Sequence, residues 1–167
     1  QAANLLEENL GWRVASPTAE ELRAASGAGL HPQGDEGEQP FCLLPFSHPV
    51  RRDDKRISGP LWTGPLFDSE VLASMTVERA IELCGDAAEP AVRHLVGEAE
   101  LASTPSLIMT DMLPKYCDVG GPPRIVKLVE GLQSAGFKAA IARWGAPAIR
   151  TDAPWPVVLK VAVACFD

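Results

Sequence analysis

The sequence predicts an α+β protein in which a helical segment is followed by a helix-turn-helix and a β-hairpin. Across 124–135, apolar residues recur at spacings of three and four, which is typical of an amphipathic helix. Gly136 then ends this helix, and two short apolar runs flank a Gly/Pro turn, as in a hairpin. Together with a shorter helix before the Gly/Pro turn at 119–123, this order of elements predicts a winged-helix-like module.

Composition places the chain among ordinary globular proteins. Of its 167 residues, 46% are hydrophobic and 22% are charged, and no run of 18 apolar residues is present that would span a membrane. Residues 1–104 carry 8 basic and 17 acidic side chains, whereas residues 105–167 carry 7 basic and 5 acidic ones. This asymmetry disfavours broad coating by nucleic acid and permits an electropositive face only in the last third.

Four cysteines lie 42, 33 and 48 residues apart, without a Cys-x-x-Cys pair or clustered histidines. This spacing predicts no metal site and indicates free thiols that are mostly buried, in an intracellular protein. The sequence does not distinguish nucleus, mitochondrion and plastid. The chain begins at Gln1 without a basic-then-apolar leader, so we expect a processed or trimmed piece of a longer protein.

The first of three predicted segments, 1–57, combines helix with irregular chain. The leucines and Trp12 near its start fit a short helix or its end, and Ser16-Pro17-Thr18 predicts the cap of another helix. The acidic run 31–40 predicts a flexible loop. The apolar run 41–46 predicts a strand or a packed extended segment.

The second segment, 58–104, opens with Ser-Gly-Pro-Leu-Trp-Thr-Gly-Pro-Leu-Phe-Asp at 58–68. Its two Gly-Pro pairs exclude a helix interior and predict an extended, twice-turned stretch. Asp68 or Ser69 is expected to cap a helix, and two further helical patterns follow, the second from Glu89 to about Ala102.

The third segment, 105–167, is the winged-helix-like module. Its predicted elements are a short helix from Thr110 to Tyr116, a turn at 119–123, a helix within 124–135, and hairpin strands at 137–142 and 148–151 around the turn Trp144–Pro147.

Three stretches resemble the tRNA (guanine 26, N2)-dimethyltransferase family. Residues 58–68 are similar to its Gly-Gly-Pro-x-Trp-x-Gly-Pro-Leu-x-Asp motif, and 135–139 with 148–154 resemble its carboxy-terminal end. Pro122-Pro123 fits its proline turn before a helix. The order and spacing agree with the family over about 57–160. The matching motif residues are Gly59, Pro60, Trp62, Gly64, Pro65, Thr151 and Asp152.

The resemblance implies an enzyme that methylates guanine N2 with S-adenosylmethionine bound in an N-terminal Rossmann-like domain. The Gly-rich turn and the Asp-Pro-aromatic motif of such a domain are absent from this sequence. Asp152-Ala153-Pro154-Trp155 has Ala between Asp and Pro, and it matches the family's carboxy-terminal motif instead. We therefore assign no catalytic residue and no cofactor to this chain, which resembles the accessory half of such an enzyme.

The first functional hypothesis is an RNA-binding domain that positions tRNA, or another structured RNA, for a methyltransferase. Phosphate contacts are predicted at basic residues of the third segment, with Trp144 at the tip of the wing against a sugar or base. The basic residues are Arg124, Lys127, Lys138, Arg143 and Arg150. The alternative is a non-catalytic structural subunit, in which the module contacts protein in a larger complex or ribonucleoprotein.

Other constellations are interpreted as structural. Trp62 is expected to be a buried anchor between the two Gly-Pro turns, with a stacking platform for a flipped base as the alternative. The charged run Arg51–Arg56 is expected to be a solvated loop with internal ion pairs, with a phosphate patch as the alternative. Glu98 and Glu100 are two apart and so diverge on a helix, which disfavours paired acid–base chemistry and leaves a solvated face as the expectation.

Overall fold

The computed structural model describes residues 7–30, 39–105, 107–143 and 146–166. The chain forms two compact units. Unit 1 comprises the chain up to Gly64 together with Pro154–Pro156, and unit 2 comprises Pro65–Ala153 with the residues from Val157 onward. Residues 57–62 pair with a strand of unit 1. The division into three segments at 57/58 and 104/105 stays a prediction.

Unit 1 is a three-stranded antiparallel sheet with one helix. Its elements are β1 (Leu10–Ala15), α1 (Ala19–Gly27), β2 (Phe41–Pro45) and β3 (Ile57–Trp62). The strands lie in the order β2-β1-β3, so β1 is central and β3 is an edge strand. The core contains Trp12, Val14, Leu22, Ala25, Cys42 and Leu44.

The helix or helix end predicted near the start is wrong at Leu10 and Trp12, which lie in β1, whereas Glu7 and Glu8 are helical and Leu5 and Leu6 lie outside the described residues. The strand predicted in the run 41–46 is confirmed over Phe41–Pro45. Trp12 and Val14 are both buried on one face of β1, which is the period of two that a half-buried strand requires. Residues 31–38 of the predicted acidic loop lie outside the described residues.

The cap of α1 is confirmed at Thr18. Its hydroxyl accepts a hydrogen bond from the Glu21 backbone N–H at 3.2 Å, and the Glu21 carboxylate accepts one from the Thr18 N–H at 2.7 Å. The Arg56 guanidinium bonds both Glu21 and Asp54, while Arg51 pairs with Asp53. The predicted internal ion pairs of the charged run are therefore confirmed.

Unit 2 combines short helices with a second antiparallel sheet. Its elements, of which the last begins in unit 1, are α2 (Ser69–Ser74), α3 (Val77–Cys84), α4 (Glu89–Gly97), β4 (Ile108–Met109), α5 (Ile125–Ser134), β5 (Ala139–Arg143), β6 (Pro147–Thr151) and α6 (Trp155–Ala164). Three 3-10 helices lie at Asp86–Ala88, Ala99–Leu101 and Thr110–Lys115. The sheet has the order β4-β6-β5.

The helix within 124–135 and the hairpin that follows it are confirmed. Leu128, Val129 and Leu132 of α5 are buried, and β5 pairs antiparallel with β6. The predicted first helix of the module is instead a 3-10 helix, and it contains Pro114, which has no N–H for an α-helical bond. The chain is thus a mixed α/β protein with two small antiparallel sheets.

Candidate nucleic-acid interface

The amino end of α5 presents two exposed cations beside backbone donors that no described side chain caps. Arg124 is the N-cap residue in an extended conformation, and its guanidinium, which has only donors, cannot cap the N–H groups of the first turn. That turn carries no acidic residue, and Lys127 follows Arg124 by three positions, on the same side of the helix. The buried residues of α5 fix which side faces inward. The outward amino end therefore combines two formal charges with the positive end of the helix dipole.

Lys138, at the start of the hairpin, is exposed but already held in part by its neighbours. Its Nζ lies 3.5 Å from the Glu100 carbonyl oxygen, and its backbone N–H donates to Asp152 Oδ1 at 2.8 Å. It lines an open groove of about 410 Å³, together with Gln133 and Phe137. An anion that binds Lys138 would compete with the Glu100 carbonyl oxygen for the Lys138 Nζ, and the distance of 3.5 Å makes that contact a weak competitor.

Arg150 is not a free phosphate ligand, which corrects the sequence-based assignment. Its Nε donates to Glu98 Oε2 at 2.9 Å, and both side chains are only 8% exposed. Its NH1 group also donates to the Thr104 carbonyl oxygen. These hydrogen bonds connect β6 to Glu98 at the end of α4 and to Thr104 in the chain after it.

Glu98 is correspondingly a buried residue, not part of a solvated face. Sequence reasoning missed this pair because its partners are 52 positions apart and no local pattern links them.

The hairpin tip is described only in part. Arg143 is the last residue of β5, whereas Trp144 and Gly145 lie outside the described residues. The assignments of Arg143 and Trp144 to RNA contact therefore stay predictions. Arg124, Lys127 and Lys138 are the described cations of the predicted set that are exposed.

Thr151 and Asp152 close the base of the hairpin. Thr151 Oγ1 donates to the Lys138 carbonyl oxygen at 2.6 Å and accepts from the Ala153 N–H at 3.1 Å. Asp152 accepts from the Lys138 N–H, as described above. The motif that resembles the family's carboxy-terminal end thus serves, in this fold, to tie the two ends of the hairpin together.

The Gly-Pro-Trp motif lies in β3 and the turn after it. Gly59 has φ +139, and a Cβ there would lie 3.0 Å from the Gly11 carbonyl oxygen and 3.1 Å from the Trp12 ring. A Cβ at Gly64 would overlap the Asn9 side chain. Pro60 lies within the strand, and Pro65 begins unit 2. Gly59 is therefore favoured by its positive φ and the close approach of the Gly11 backbone and the Trp12 ring, and Gly64 by its contact with the Asn9 side chain.

Trp62 is 46% exposed, so the interpretation as a buried anchor is wrong. It pairs with Leu10 at the end of an edge strand, where only one side of the strand has a neighbour in the sheet. The alternative interpretation of Trp62, a stacking platform for a flipped base, stays a prediction.

No group of three or more metal-ligating side chains lies close enough to hold an ion within the described ranges. The four cysteines are free thiols, of which Cys42 is buried and Cys84 is exposed. The expectation that they are mostly buried is therefore met by Cys42 alone. None of the helices in the described ranges is long and apolar enough to cross a membrane.

Comparison with known proteins agrees with the resemblance. A family model described as N2,N2-dimethylguanosine tRNA methyltransferase matches residues 45–163. A tRNA (guanine(26)-N(2))-dimethyltransferase of Aeropyrum pernix is 30% identical over 96% of this chain and 36% of its own length. Its counterpart in Methanoregula boonei is 29% identical over 95% of this chain and 38% of its own length. That of Schizosaccharomyces pombe is 33% identical over 63% of this chain and 20% of its own length.

A mixed α/β chain with two small antiparallel sheets and these motifs is thus matched over most of its length by one family. The chain belongs to the N2,N2-dimethylguanosine tRNA methyltransferase family. It spans little more than a third of the length of the curated relatives from Aeropyrum and Methanoregula.

Proposed function

We propose that this chain is an RNA-binding part of a tRNA guanine-N2 dimethyltransferase, which positions tRNA while methyl transfer takes place elsewhere in the enzyme. The amino end of α5, with exposed Arg124 and Lys127 and no capping side chain among the described residues, carries this proposal. A phosphate is favoured at such a helix end by the backbone N–H groups, the dipole and the two cations together. In a winged-helix-like module, α5 and the hairpin are the elements that touch nucleic acid.

The remaining contacts are proposed at the hairpin. Lys138 supplies a third exposed cation at its base, and Arg143, at the end of β5, is proposed as a fourth phosphate contact. Trp144 follows directly in the chain and is proposed to contact a sugar or base. Arg150 is left out of this set because its guanidinium is buried against Glu98.

The methyl donor is proposed to bind outside this chain. S-adenosylmethionine is the donor that the family resemblance implies, and nucleotide-like cofactors of this kind bind at the carboxyl ends of parallel strands next to a Gly-rich turn. Both sheets of the described residues are antiparallel. The space beside the two glycines of the Gly-Pro-Trp motif is occupied by other residues of the chain. The residues present therefore do not fit this cofactor, and we assign them no step of methyl transfer.

The second candidate is the non-catalytic structural subunit. The burial of Arg150 favours it, because that removes one predicted cation from a chain whose net charge is −7. In this case the cationic end of α5 would face an acidic protein surface.

A salt titration of tRNA binding distinguishes the RNA-binding part from the structural subunit. Four phosphate contacts, at about 0.7–0.9 each, contribute a slope of about −3 in a plot of log K against log salt. The double variant Arg124→Ala/Lys127→Ala should bind more weakly and lose about 1.5 from the magnitude of that slope.

Arg79→Ala/Arg93→Ala is the charge-matched control. It removes two cations of α3 and α4 that pair with Glu82 and Glu89 on the same helices. Equal losses in both double variants would show only a net-charge effect. Affinity that is unmeasurable at low salt would favour the structural subunit.

A further inference from the structure

We propose that the edge strand β3 and the turn before it form a second RNA-contact surface, on which Trp62 stacks against an unpaired nucleobase at one end and Arg52 and Lys55 meet phosphates of the same RNA segment at the other. This inference rests on the proposed function and extends it from the α5 module in unit 2 to a surface that lies wholly in unit 1.

The exposure of Trp62 is the first observation. The indole is 46% exposed at the end of β3, and Leu61 beside it is 39% exposed. In a strand, neighbouring side chains point to opposite faces, so these two do not form one apolar patch. A partly exposed aromatic side chain can stack on one flat partner without being part of a broad hydrophobic interface.

The rigidity of the strand is the second observation. A Cβ at Gly59, where φ is +139, would lie only 3.0 Å from the Gly11 carbonyl oxygen and 3.1 Å from the Trp12 ring, and a Cβ at Gly64 would overlap the Asn9 side chain. The Thr63 N–H donates to the Asn9 carbonyl oxygen at 2.8 Å, directly after Trp62. The backbone on both sides of Trp62 is thus fixed while its ring is presented to solvent, so little conformational entropy is lost when a ring stacks on it.

The charge of the preceding turn is the third observation. Within the run Arg51–Arg56, Arg51 pairs with Asp53, and Arg56 pairs with Asp54 and Glu21. Arg52 and Lys55 are exposed, and neither forms an ion pair with another residue of the described ranges. They lead directly into β3, whose rise from Ile57 to Trp62 is roughly 17 Å. A short unpaired RNA segment along this edge would meet cations at one end and an aromatic ring at the other.

These features favour RNA over an added protein strand. Pro60 has no N–H to offer to a strand that pairs with the free edge of β3, and prolines of this kind discourage edge-to-edge pairing. Cations that follow a backbone, together with an aromatic ring for a base, are the usual combination in proteins that bind single-stranded nucleic acid.

The test uses the 167-residue chain and a tRNA transcript, with a fully paired RNA duplex as the second probe. Trp62→Ala should weaken tRNA binding about tenfold at every salt concentration, with an unchanged salt slope, because stacking displaces no counterions. Trp62→Phe should retain most of the affinity, whereas Trp62→Leu should behave like Trp62→Ala. Binding of the duplex, which offers no unpaired base, should not respond to Trp62.

Arg52→Ala/Lys55→Ala should instead lower the magnitude of the slope by about 1.4, or about 0.7 for each single-strand phosphate contact. Arg79→Ala/Arg93→Ala again serves as the charge-matched control. If the parent chain binds tRNA but the variants at 52, 55 and 62 match it, this inference is overturned and the proposed function stands. If Trp62→Leu binds as well as Trp62→Phe, base stacking is overturned. If the parent chain does not bind tRNA at all, both proposals fall.

Discussion

At the scale of single residues, Arg150 shows how burial changes the meaning of a charge. A basic residue in a basic segment predicts a phosphate contact, yet its guanidinium lies against Glu98 with 8% of the side chain exposed. Two buried charges stabilise a fold only as a complete pair, because each alone keeps its full desolvation cost. Arg150 is thus a structural residue that joins β6 to α4.

The first prediction follows from this pair. Arg150→Met leaves the Glu98 carboxylate buried and unpaired, so the free energy of unfolding should fall by about 3–5 kcal/mol. Glu98→Met/Arg150→Met should recover most of the loss. Urea denaturation measures both. Arg79→Ala, which breaks the exposed pair with Glu82, should cost less than about 1 kcal/mol, and an equally small effect of Arg150→Met would contradict the structure.

The second prediction concerns thiol chemistry. Burial raises the pKa of the Cys42 thiol to about 12, with a further contribution from the Glu21 carboxylate and an opposing effect of Arg56. Only the thiolate is alkylated, so Cys42 should stay unmodified by iodoacetamide at about pH 8 until the protein unfolds. Exposed Cys84 should be modified first. Mass spectrometry of the native and urea-treated protein tests this order, and early labelling of Cys42 would contradict it.

At the scale of elements, the Gly-Pro-Trp motif packs closely through its glycines and leaves Trp62 exposed. Its glycines allow β3 to approach β1 closely, and Asp68 at its end caps α2 by accepting hydrogen bonds from the N–H groups of Glu70 and Val71. The motif therefore builds both the last strand of unit 1 and the first helix of unit 2.

The third prediction tests this packing. Gly59→Ala places a Cβ 3.0 Å from the Gly11 carbonyl oxygen on a backbone with φ +139, so it should destabilise the protein by about 1–3 kcal/mol. Gly97→Ala at the end of α4 is the matched control, because its Cβ meets nothing within 4 Å. There the helix should gain up to about 1 kcal/mol. Thermal unfolding of both variants is the measurement, and a neutral Gly59→Ala would refute the close approach.

At the scale of the whole molecule, the charge distribution and the sheet topology both favour an accessory role over a catalytic one. The residues after 104 carry the small positive balance, and α5 in unit 2 displays part of it at its amino end. The antiparallel sheets of the described residues lack the parallel-strand crevice in which nucleotide cofactors bind. Both features agree with our proposal that the chain binds RNA and leaves the chemistry to another part of the enzyme.

The fourth prediction is that the chain does not bind S-adenosylmethionine with micromolar affinity, because no Gly-rich turn follows a parallel strand in the described ranges. Isothermal calorimetry of the isolated chain measures this. The same preparation should bind tRNA, which shows that the protein is folded and active in binding. Micromolar binding of the cofactor would place a donor site in this chain and overturn the assignment.

Local patterns in the sequence were enough for the elements whose stability is local. Thr18 and Asp68 cap helices through bonds two or three residues away, the apolar spacing of α5 needs only its own residues, and the Gly-Pro pairs exclude helix by steric clash. The hairpin followed from its turn and its two apolar runs. The three motifs, taken together in order, also indicated the family from sequence alone.

The features that the sequence left open depend on partners far apart in the chain. Only the tertiary structure placed Glu98 against Arg150, brought Gly59 onto Trp12, and left Trp62 at an open edge of the sheet. It also turned the stretch around Trp12 into the central strand of unit 1, because the two neighbours of that strand come from residues about 30 and 50 positions later. Propensity and spacing act over a few residues, whereas burial and ion pairing are decided by whatever the fold brings alongside.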